Sequence, residues 1–355
     1  MSVIPPIWLK SVAQRVESRL NEFLQDEQDR WSALDSDLGP PIGELTRLVN
    51  AGGKRLRPAF CHLGFIGAGG DETSIELLNA QAALELLHAS ALLHDDIIDG
   101  STTRRGEPTA HTRYLAKHAD NKWAGEGRRF GEGAAILIGD LAFVYADQLM
   151  TGVNAPTIKI WNEMRIELNI GQYLDLLGSA QRERNLTKAE RVSRYKSGKY
   201  TIERPLHLGA TMAAPDRADV LLEELSAFGL PLGDAFQMRD DVLGVFGDEA
   251  TNNTGKPIGD DIREGKPTPL LAMAYKRAST SQRQVLEDVG APQISNEDIS
   301  KIQEVIIETG ALSELETKIS GLVSESIAAI TNSSLSKQSV KQLVELAEFV
   351  AQRRN

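Results

Sequence analysis

The sequence of 355 residues is 41% hydrophobic, 25% charged and 5% aromatic, with 39 basic and 50 acidic side chains and a net charge of −11. This composition predicts a soluble globular protein with enough length to bury a core, and the negative charge argues against nucleic acid as the main partner. A single cysteine, no signal-peptide pattern and no apolar run near the roughly 20 residues of a membrane span predict a cytoplasmic protein without a membrane span.

The first elements in the chain are helical. Apolar residues at helical spacing predict a helix over residues 7–31, closed off by Pro40-Pro41, and a second helix over residues 42–50. A basic turn follows, Gly52-Gly53-Lys54-Arg55-Leu56-Arg57-Pro58. Its glycines let backbone N–H groups approach an anion, and arginine offers a fork suited to phosphate oxygens. Alone, this turn predicts an anion site no more strongly than an ordinary solvated basic turn.

The next helix ends in an acidic cluster. Residues 81–93 are nearly all apolar and predict a buried helix, and Asp95 and Asp99 then follow four residues apart, on one helical face. Carboxylates in this position need a compensating cation, and a partly open set of oxygen ligands suits Mg²⁺ shared with a substrate phosphate.

One histidine on the same helix is ambiguous. His88 alone is more typical of a hydrogen-bonded core residue than of a functional one. The spacing of Glu85 and His88 also fits the ligand pair of di-iron helix bundles, but no second such pair exists among the six histidines.

The middle of the chain begins with a second basic motif. After Arg104-Arg105-Gly106, residues 117–133 are rich in glycine and charge and predict an exposed, mobile loop. Helix is expected to resume over residues 134–150.

Two further helices carry polar residues. The helix predicted over residues 157–177 contains Gln172 and Asp175, which are most simply ordinary polar positions. The amphipathic helix predicted over residues 194–214 contains Lys196-Ser197-Gly198-Lys199, and one of its two lysines is expected to point inward.

A second acidic pair, Asp240-Asp241, again ends an apolar helix. Two such clusters, about 145 residues apart, are expected to face one another across a bundle core. Lys256 and Lys266 then lie in a glycine-rich segment of the kind that binds phosphates. Residues 269–355 predict amphipathic helices without recognisable chemistry. Because no strand alternation, linker or repeat appears, the sequence predicts one all-α domain over residues 1–355.

This inventory indicates a class of chemistry. Two acidic pairs and several basic clusters, without an activated serine, cysteine or histidine nucleophile, indicate Mg²⁺ and substrates that together carry several phosphates. Magnesium can act as a Lewis acid that makes diphosphate a leaving group. The expected reaction is therefore an ionisation and not an attack by a protein nucleophile.

The motifs resemble, in order, those of the trans-isoprenyl diphosphate synthases, the polyprenyl synthetase family. The resemblance runs from about residue 50 to residue 270 and is carried by Gly53 to Pro58, His88, Asp95 to Asp99, Arg104 to Gly106, Lys196 to Gly198, Gln237, Asp240-Asp241, and the segment with Lys256 and Lys266. It implies a helical bundle around a deep central cavity, the isoprenoid synthase fold, normally a homodimer. The implied activity joins isopentenyl diphosphate to an allylic diphosphate, which is dimethylallyl, geranyl or farnesyl diphosphate.

The resemblance also implies residue roles. Three magnesium ions would be bound by Asp95 and Asp99 from one side and Asp240 from the other, with Asp96 and Asp241 as outer ligands. Isopentenyl diphosphate would be held by Lys54, Arg57, His88 and Arg105. The allylic diphosphate would be held by Arg104, Lys196, Gln237, Lys256 and Lys266.

Gly244 departs from the family pattern, and the choice between Lys196 and Lys199 rests on that pattern alone. The second motif usually reads Asp-Asp-x-x-Asp, but here its last position is Gly244, and Asp248 one turn further is the expected remote carboxylate. Lys199 lies one helical turn from Lys196, and only the family pattern favours Lys196.

Product length is predicted from the helix that carries Asp95. Ala91, Ser90 and Leu87 lie four, five and eight residues before Asp95, where a growing chain would extend. In the family, aromatic residues there stop growth at fifteen carbons. The small Ala91 and Ser90 therefore predict the twenty-carbon geranylgeranyl diphosphate, with Leu87 or a neighbouring helix as the stop. Farnesyl and longer products are the alternatives.

Two other functions are compatible with part of the pattern. A class I terpene cyclase also uses acidic helix ends on an all-α fold, but it binds one diphosphate and does not need the basic segment from Gly52 to Pro58. A catalytically inactive partner subunit of a prenyl synthase is the non-enzyme alternative, which the presence of both acidic motifs disfavours.

Overall fold

The computed structural model describes residues 5–247 and 258–352, and side chains up to residue 350. Contacts divide the chain into two compact units. The N-terminal unit comprises Ile7–His62 and Asp71–Asn154. The C-terminal unit comprises the described parts of Met1–Pro6, Leu63–Gly70 and Ala155–Asn355. The expected single domain over residues 1–355 stays a prediction.

The N-terminal unit is helical apart from one small hairpin. Its elements are α1 (Ile7–Ser32), a 3-10 helix (Ser36–Leu38), α2 (Gly39–Asn50), the first half of α3 (Leu56–Gly67), α4 (Ile75–Ile98), β1 (Thr103–Arg104), β2 (Glu107–Pro108), α5 (Ala110–Asp120) and α6 (Gly127–Leu149). The Ser74 side chain caps α4 by accepting a hydrogen bond from the Leu77 N–H. Because α4 is apolar around most of its surface, it is buried, and it packs against α1, α2 and α6.

Two local predictions in this unit are wrong. Pro40-Pro41 do not close a unit off but occupy the first turn of α2, where the missing proline N–H has no intrahelical partner in any case. The expected loop over residues 117–133 is largely helical, since α5 continues to Asp120 and α6 begins at Gly127. Gly131 is tolerated in α6 because its position lies against the His111 carbonyl, where a Cβ would approach within 2.4 Å.

The C-terminal unit is built around α10. Its described helices are the second half of α3, α7 (Ala155–Ala180), α8 (Leu186–Ser193), a π-helix (Arg194–Glu203), α9 (Arg204–Ala213), a 3-10 helix (Pro215–Arg217), α10 (Ala218–Phe246), α11 (Asp260–Glu264), α12 (Pro269–Arg277), α13 (Thr280–Leu286), α14 (Asn296–Glu308), α15 (Ala311–Thr331) and α16 (Lys337–Gln352). The central helix α10 packs against α9, α15 and the π-helix. The π-helix carries both Lys196 and Lys199, and such widened turns are typical of functional sites.

The fold class is as expected. Within residues 5–247 and 258–352, the only strands are β1 and β2, so the all-α prediction is confirmed. No helix in the described part of the chain is long and apolar enough to cross a membrane.

Candidate active site

The carboxyl end of α4 carries the first acidic motif. Asp95 and Asp99 are half-buried, and the Asp99 N–H closes the last turn by donating to the Asp95 carbonyl at 2.8 Å. The helix dipole places partial negative charge at this end, and the last turn of α4 has no basic residue. These carboxylates are therefore in a position that favours a bound cation.

Arg104 supports Asp96, the second aspartate of this motif. Asp96 is 3% exposed and accepts two hydrogen bonds from the Arg104 guanidinium, at 2.8 and 2.6 Å. The same guanidinium lies 3.8 Å from the Asp95 carboxylate. Arg104 is placed by the hairpin of β1 and β2, whose two turn residues, Arg105 and Gly106, both have positive φ.

The basic segment before α3 is tied to this hairpin. The Arg105 guanidinium donates a hydrogen bond to the Gly52 carbonyl, and Lys54 and Arg57 are half-buried. Burial, and then the guanidinium of Arg57, lower the pKa of His88 well below its usual range, and further contributions come from Arg105, Arg104 and Arg55. His88 is therefore neutral at pH 7, and it lies beside Arg57 and Arg105, two of the cations predicted to hold isopentenyl diphosphate.

The three predicted chain-length residues differ in position. His88, Ala91, Asp95 and Asp99 are all half-buried and follow one another at spacings of three or four residues, so they lie on one face of α4. Ser90 and Leu87 are 2% and 1% exposed, within the packed part of the helix. Ala91 is therefore the small residue on the face that carries the acidic motif.

In the C-terminal unit, Lys196 meets an aspartate that the sequence alone left unassigned. The Lys196 ammonium donates to the Asp175 carboxylate at 2.6 Å, and the Asp175 side chain is 9% exposed. The close approach of the two helices depends on Gly171, where a Cβ would lie 2.4 Å from the backbone nitrogen of Lys196. Gly171, Asp175 and Gly178 share one face of α7, and this pattern in the sequence could have indicated Asp175.

Lys199 belongs to a different cluster. Its ammonium donates to the Glu167 carboxylate, which also accepts two hydrogen bonds from the Arg204 guanidinium at 2.7 Å each. Burial of Glu167 is offset by these two cations, which lower its pKa. Lys199 is thus engaged in a structural ion pair.

The second acidic motif lies near the end of α10. Gln237 donates to the Asp241 carboxylate at 2.9 Å, and Asp241 is 3% exposed. The other oxygen of that carboxylate, Oδ2, is buried and has no hydrogen-bond partner among the described residues. Burial, followed by the neighbouring carboxylates of Asp261 and Asp240, raises the pKa of Asp241 well above its usual range.

Asp261 occupies the space next to the position where the family pattern has a third aspartate. A Cβ built on Gly244 would lie 2.2 Å from the Asp261 carboxylate oxygen Oδ2. The backbone around it is held close to α10, because the Gly259 N–H donates to the Gly244 carbonyl at 3.1 Å. The sequence departure at Gly244 therefore has a steric reason, and the carboxylate beside Asp241 comes from the start of α11.

Of the two lysines in the glycine-rich segment after α10, the structure describes Lys266. Lys266 lies 2.6 Å from the Glu264 carboxylate and 3.8 Å from that of Asp261. Lys256 and Asp248 lie outside the described residues.

The donor set fits magnesium. Both motifs offer carboxylate oxygens, and the buried, unpartnered Oδ2 of Asp241 is the kind of atom that a cation satisfies. Among the described residues, no three histidine, cysteine, aspartate or glutamate side chains already form a metal-binding group.

Comparison with known proteins assigns the family. The model of the family described as "Polyprenyl synthetase" matches residues 43–308. A geranylgeranyl diphosphate synthase of Saccharolobus solfataricus is 33% identical over 86% of this chain and 88% of its own, and a geranylfarnesyl diphosphate synthase of Aeropyrum pernix is 31% identical over 85% and 87%.

Solved structures agree with this assignment. A geranylgeranyl pyrophosphate synthase from Corynebacterium glutamicum, complexed with isoprenyl diphosphate and magnesium, is 38% identical, with a TM-score of 0.91 over 97% of this chain and 99% of that one. The predicted resemblance is confirmed: the chain belongs to the polyprenyl synthetase family of isoprenyl diphosphate synthases.

Proposed function

We propose that this protein condenses isopentenyl diphosphate with allylic diphosphates, in the presence of Mg²⁺, to give geranylgeranyl diphosphate. The observation that carries the proposal is the pairing of acidic helix ends with basic residues: Arg104 holds Asp96 at the end of α4, and a cluster of arginines surrounds His88. This chemistry suits substrates that bring diphosphates and share a cation.

The acidic residues would hold the metal. We assign Asp95, Asp99 and Asp240 as ligands of three ions, with Asp96 and Asp241 as outer ligands. Bound Mg²⁺ would supply Lewis-acid stabilisation of the departing diphosphate. Arg104 orients Asp96 through two hydrogen bonds, and Gln237 orients Asp241 through one.

The basic residues divide between the two substrates. Lys54, Arg57, His88 and Arg105 would bind isopentenyl diphosphate, and the neutral imidazole of His88 would take part as a hydrogen-bonding group. Arg104, Lys196, Gln237, Lys256 and Lys266 would bind the allylic diphosphate and stabilise the charge that develops on it as it leaves.

The carbon chemistry needs no protein nucleophile. Loss of diphosphate leaves an allylic cation, the isopentenyl double bond attacks it, and the released diphosphate accepts the proton that is lost. The apolar surface of α4 would protect the cation from water.

The product length rests on Ala91. Its methyl group lies between His88 and Asp95 on one face of α4, and it leaves more room than an aromatic side chain would. The relatives named geranylgeranyl diphosphate synthases support a twenty-carbon product for this chain too.

A condensation assay tests the proposal. The purified chain is incubated with Mg²⁺, labelled isopentenyl diphosphate and each allylic primer, and the dephosphorylated alcohols are separated by chromatography. We expect the label in a twenty-carbon alcohol. Conversion of the allylic substrate alone into a hydrocarbon would indicate a terpene cyclase, and no conversion would indicate an inactive partner subunit; either result would overturn the proposal.

We also propose that the protein is a homodimer. Helix α6 exposes Leu137 and Val144, which are 69% and 59% exposed and seven residues apart, and α7 exposes Ile170 and Tyr173, at 49% and 63%. Apolar faces of this kind are typical of association with a second copy. The cytoplasmic location rests on the sequence alone.

Substitutions on these faces test the dimer. Leu137→Glu or Tyr173→Glu should convert a dimer into a monomer in size-exclusion chromatography with light scattering, because a charge would have to be buried in the interface. Ile307→Glu, on the exposed surface of α14, is the matched control and should leave the mass unchanged. A monomeric wild type would contradict the proposal.

A further inference from the structure

The middle arginine of the basic segment differs from its neighbours. Lys54 and Arg57, which we assign to isopentenyl diphosphate, are half-buried, whereas Arg55 between them is 6% exposed. Of the three cations in the segment, Arg55 is therefore the buried one, and Lys54 and Arg57 stay partly exposed. Neither the family pattern nor the proposed substrate contacts give Arg55 a role.

Arg55 is held on several sides. Its guanidinium donates to the Glu85 carboxylate, to the Val49 carbonyl at 2.6 Å and to the Glu17 carboxylate at 3.2 Å. The side chains of Arg55 and Glu85 are both 5% exposed, so this is a buried ion pair. Because its charge and its donors are already engaged, Arg55 is not available as a ligand for a diphosphate.

The backbone at Arg55 is also unusual. Its φ is +50°, in the left-handed region that costs free energy for a residue with a side chain. Such a conformation persists only where the surroundings fix it. Here the guanidinium is fixed by its acceptors, and on the other side the Arg105 guanidinium donates to the Gly52 carbonyl.

Glu85 connects this segment to the helix of the site. It lies three residues before His88 on α4, on the turn that precedes the histidine. The same ion pair therefore fixes the segment containing Lys54 and Arg57 relative to the helix that carries His88.

We propose that Arg55 is a positioning residue for isopentenyl diphosphate binding, and that Glu85 is its anchor. The pair holds the strained turn so that Lys54 and Arg57 stay in the geometry required by the diphosphate. This inference rests on the proposed function, since it takes Lys54 and Arg57 as the contacts to that substrate.

Two single variants test the inference. Arg55→Lys keeps the charge but loses the planar guanidinium that reaches several acceptors, and Glu85→Gln removes the anchoring charge. Because a misplacement of about 1 Å can cost up to about a hundredfold, we expect either variant to raise KM for isopentenyl diphosphate by roughly tenfold to a hundredfold. The kcat and the KM for the allylic substrate should remain nearly unchanged.

A double variant separates positioning from stability. Replacing a buried ion pair by apolar side chains of similar size often restores stability. Arg55→Met with Glu85→Met should therefore recover the Tm that either single substitution loses, while KM for isopentenyl diphosphate stays high. Arg204→Lys, which weakens the ion pair with Glu167, is the matched control and should lower Tm without this selective change in KM.

The results for Lys54 and Arg55 separate the substrate assignment of the basic segment from the positioning role of Arg55. If Lys54→Ala leaves KM for isopentenyl diphosphate unchanged, the proposed assignment of the basic segment is wrong. If Lys54→Ala raises that KM but Arg55→Lys and Glu85→Gln do not, only the positioning role is overturned. Recovery of KM together with Tm in the double variant would also overturn it.

Discussion

At the scale of single residues, the contacts of Lys196 and Lys199 separate two side chains that the sequence leaves equivalent. Lys196 donates to Asp175, which lies three residues after Gln172 on α7. Lys199 and Arg204 both donate to the Glu167 carboxylate. The π-helix produces this difference because its wider turn changes the angle between residues three apart. We therefore expect the two lysines to have different roles.

Alanine at each lysine tests this difference. Lys196→Ala should raise KM for the allylic substrate by roughly tenfold or more, since a lost charge-assisted phosphate contact is worth about 1.5 to 3 kcal/mol. Lys199→Ala should instead lower Tm, because Glu167 loses one of its cations. Steady-state kinetics and thermal unfolding would measure both, and an allylic effect of Lys199→Ala alone would reverse the assignment.

Buried histidines make stability depend on pH. Burial, and then the guanidinium of Arg15, lower the pKa of His62 to about 4, and burial and Arg204 lower that of His207 to about 3. In the unfolded chain a histidine has a pKa near about 6.5. Below that pH the histidines are protonated in the unfolded chain but stay neutral in the folded protein. The free energy of unfolding therefore decreases as the pH falls from 6.5 towards the folded pKa values.

This effect can be measured at His62, whose side chain is nearly fully buried. Each such histidine can change the free energy of unfolding by up to about 1.4 kcal/mol per pH unit. His62→Leu should therefore flatten the fall in stability between pH 6.5 and about 4, measured by urea unfolding. Equal slopes for wild type and variant would mean that His62 is not neutral in the folded state.

At the scale of elements, α4 combines the acidic motif with the residue that we expect to set product length. Ala91 is on the same half-buried face as His88 and Asp95, so a larger side chain there should reach the path of the growing product without disturbing the packed face. Ser90 and Leu87 belong to that packed face, where an added ring costs about 1 to 3 kcal/mol.

Ala91→Phe should therefore shift the product from twenty towards fifteen carbons, with little loss of Tm. Chromatography of the dephosphorylated alcohols measures the shift. Ile75→Phe is the matched control, because Ile75 is 59% exposed at the start of α4, twenty residues before Asp95, and its product should stay at twenty carbons. An unchanged product from Ala91→Phe would show that the chain does not grow along this face.

At the scale of the whole molecule, helical periodicity predicted most elements, and the motif order predicted the family. The wrong predictions arose where local composition conflicts with packing. The glycines and charges of residues 117–133 suggested a loop, but Gly131 allows α6 to approach α5, and α6 begins seven residues before the predicted start at 134.

Several contacts of the site could not be predicted from the sequence, because they join residues that are far apart along the chain. A single sequence does not show that Asp261 lies against Gly244, because the two are seventeen residues apart and only the folded backbone brings them together. The contact of Lys196 with Asp175 likewise depends on a helix approach that Gly171 permits. Asp95, Asp96 and Asp99 could be singled out in advance because they lie within five consecutive residues of the sequence.

The most direct test of the account compares turnover in Asp95→Ala and Asp240→Ala with that of wild type. Each substitution removes one half-buried charge within the last two turns of a helix, so circular dichroism should show a folded protein, while condensation of isopentenyl diphosphate with an allylic primer in Mg²⁺ should be almost abolished. EDTA should likewise silence the wild type. A folded variant of either kind with near-normal activity would contradict the assignment of these carboxylates to magnesium-dependent prenyl transfer.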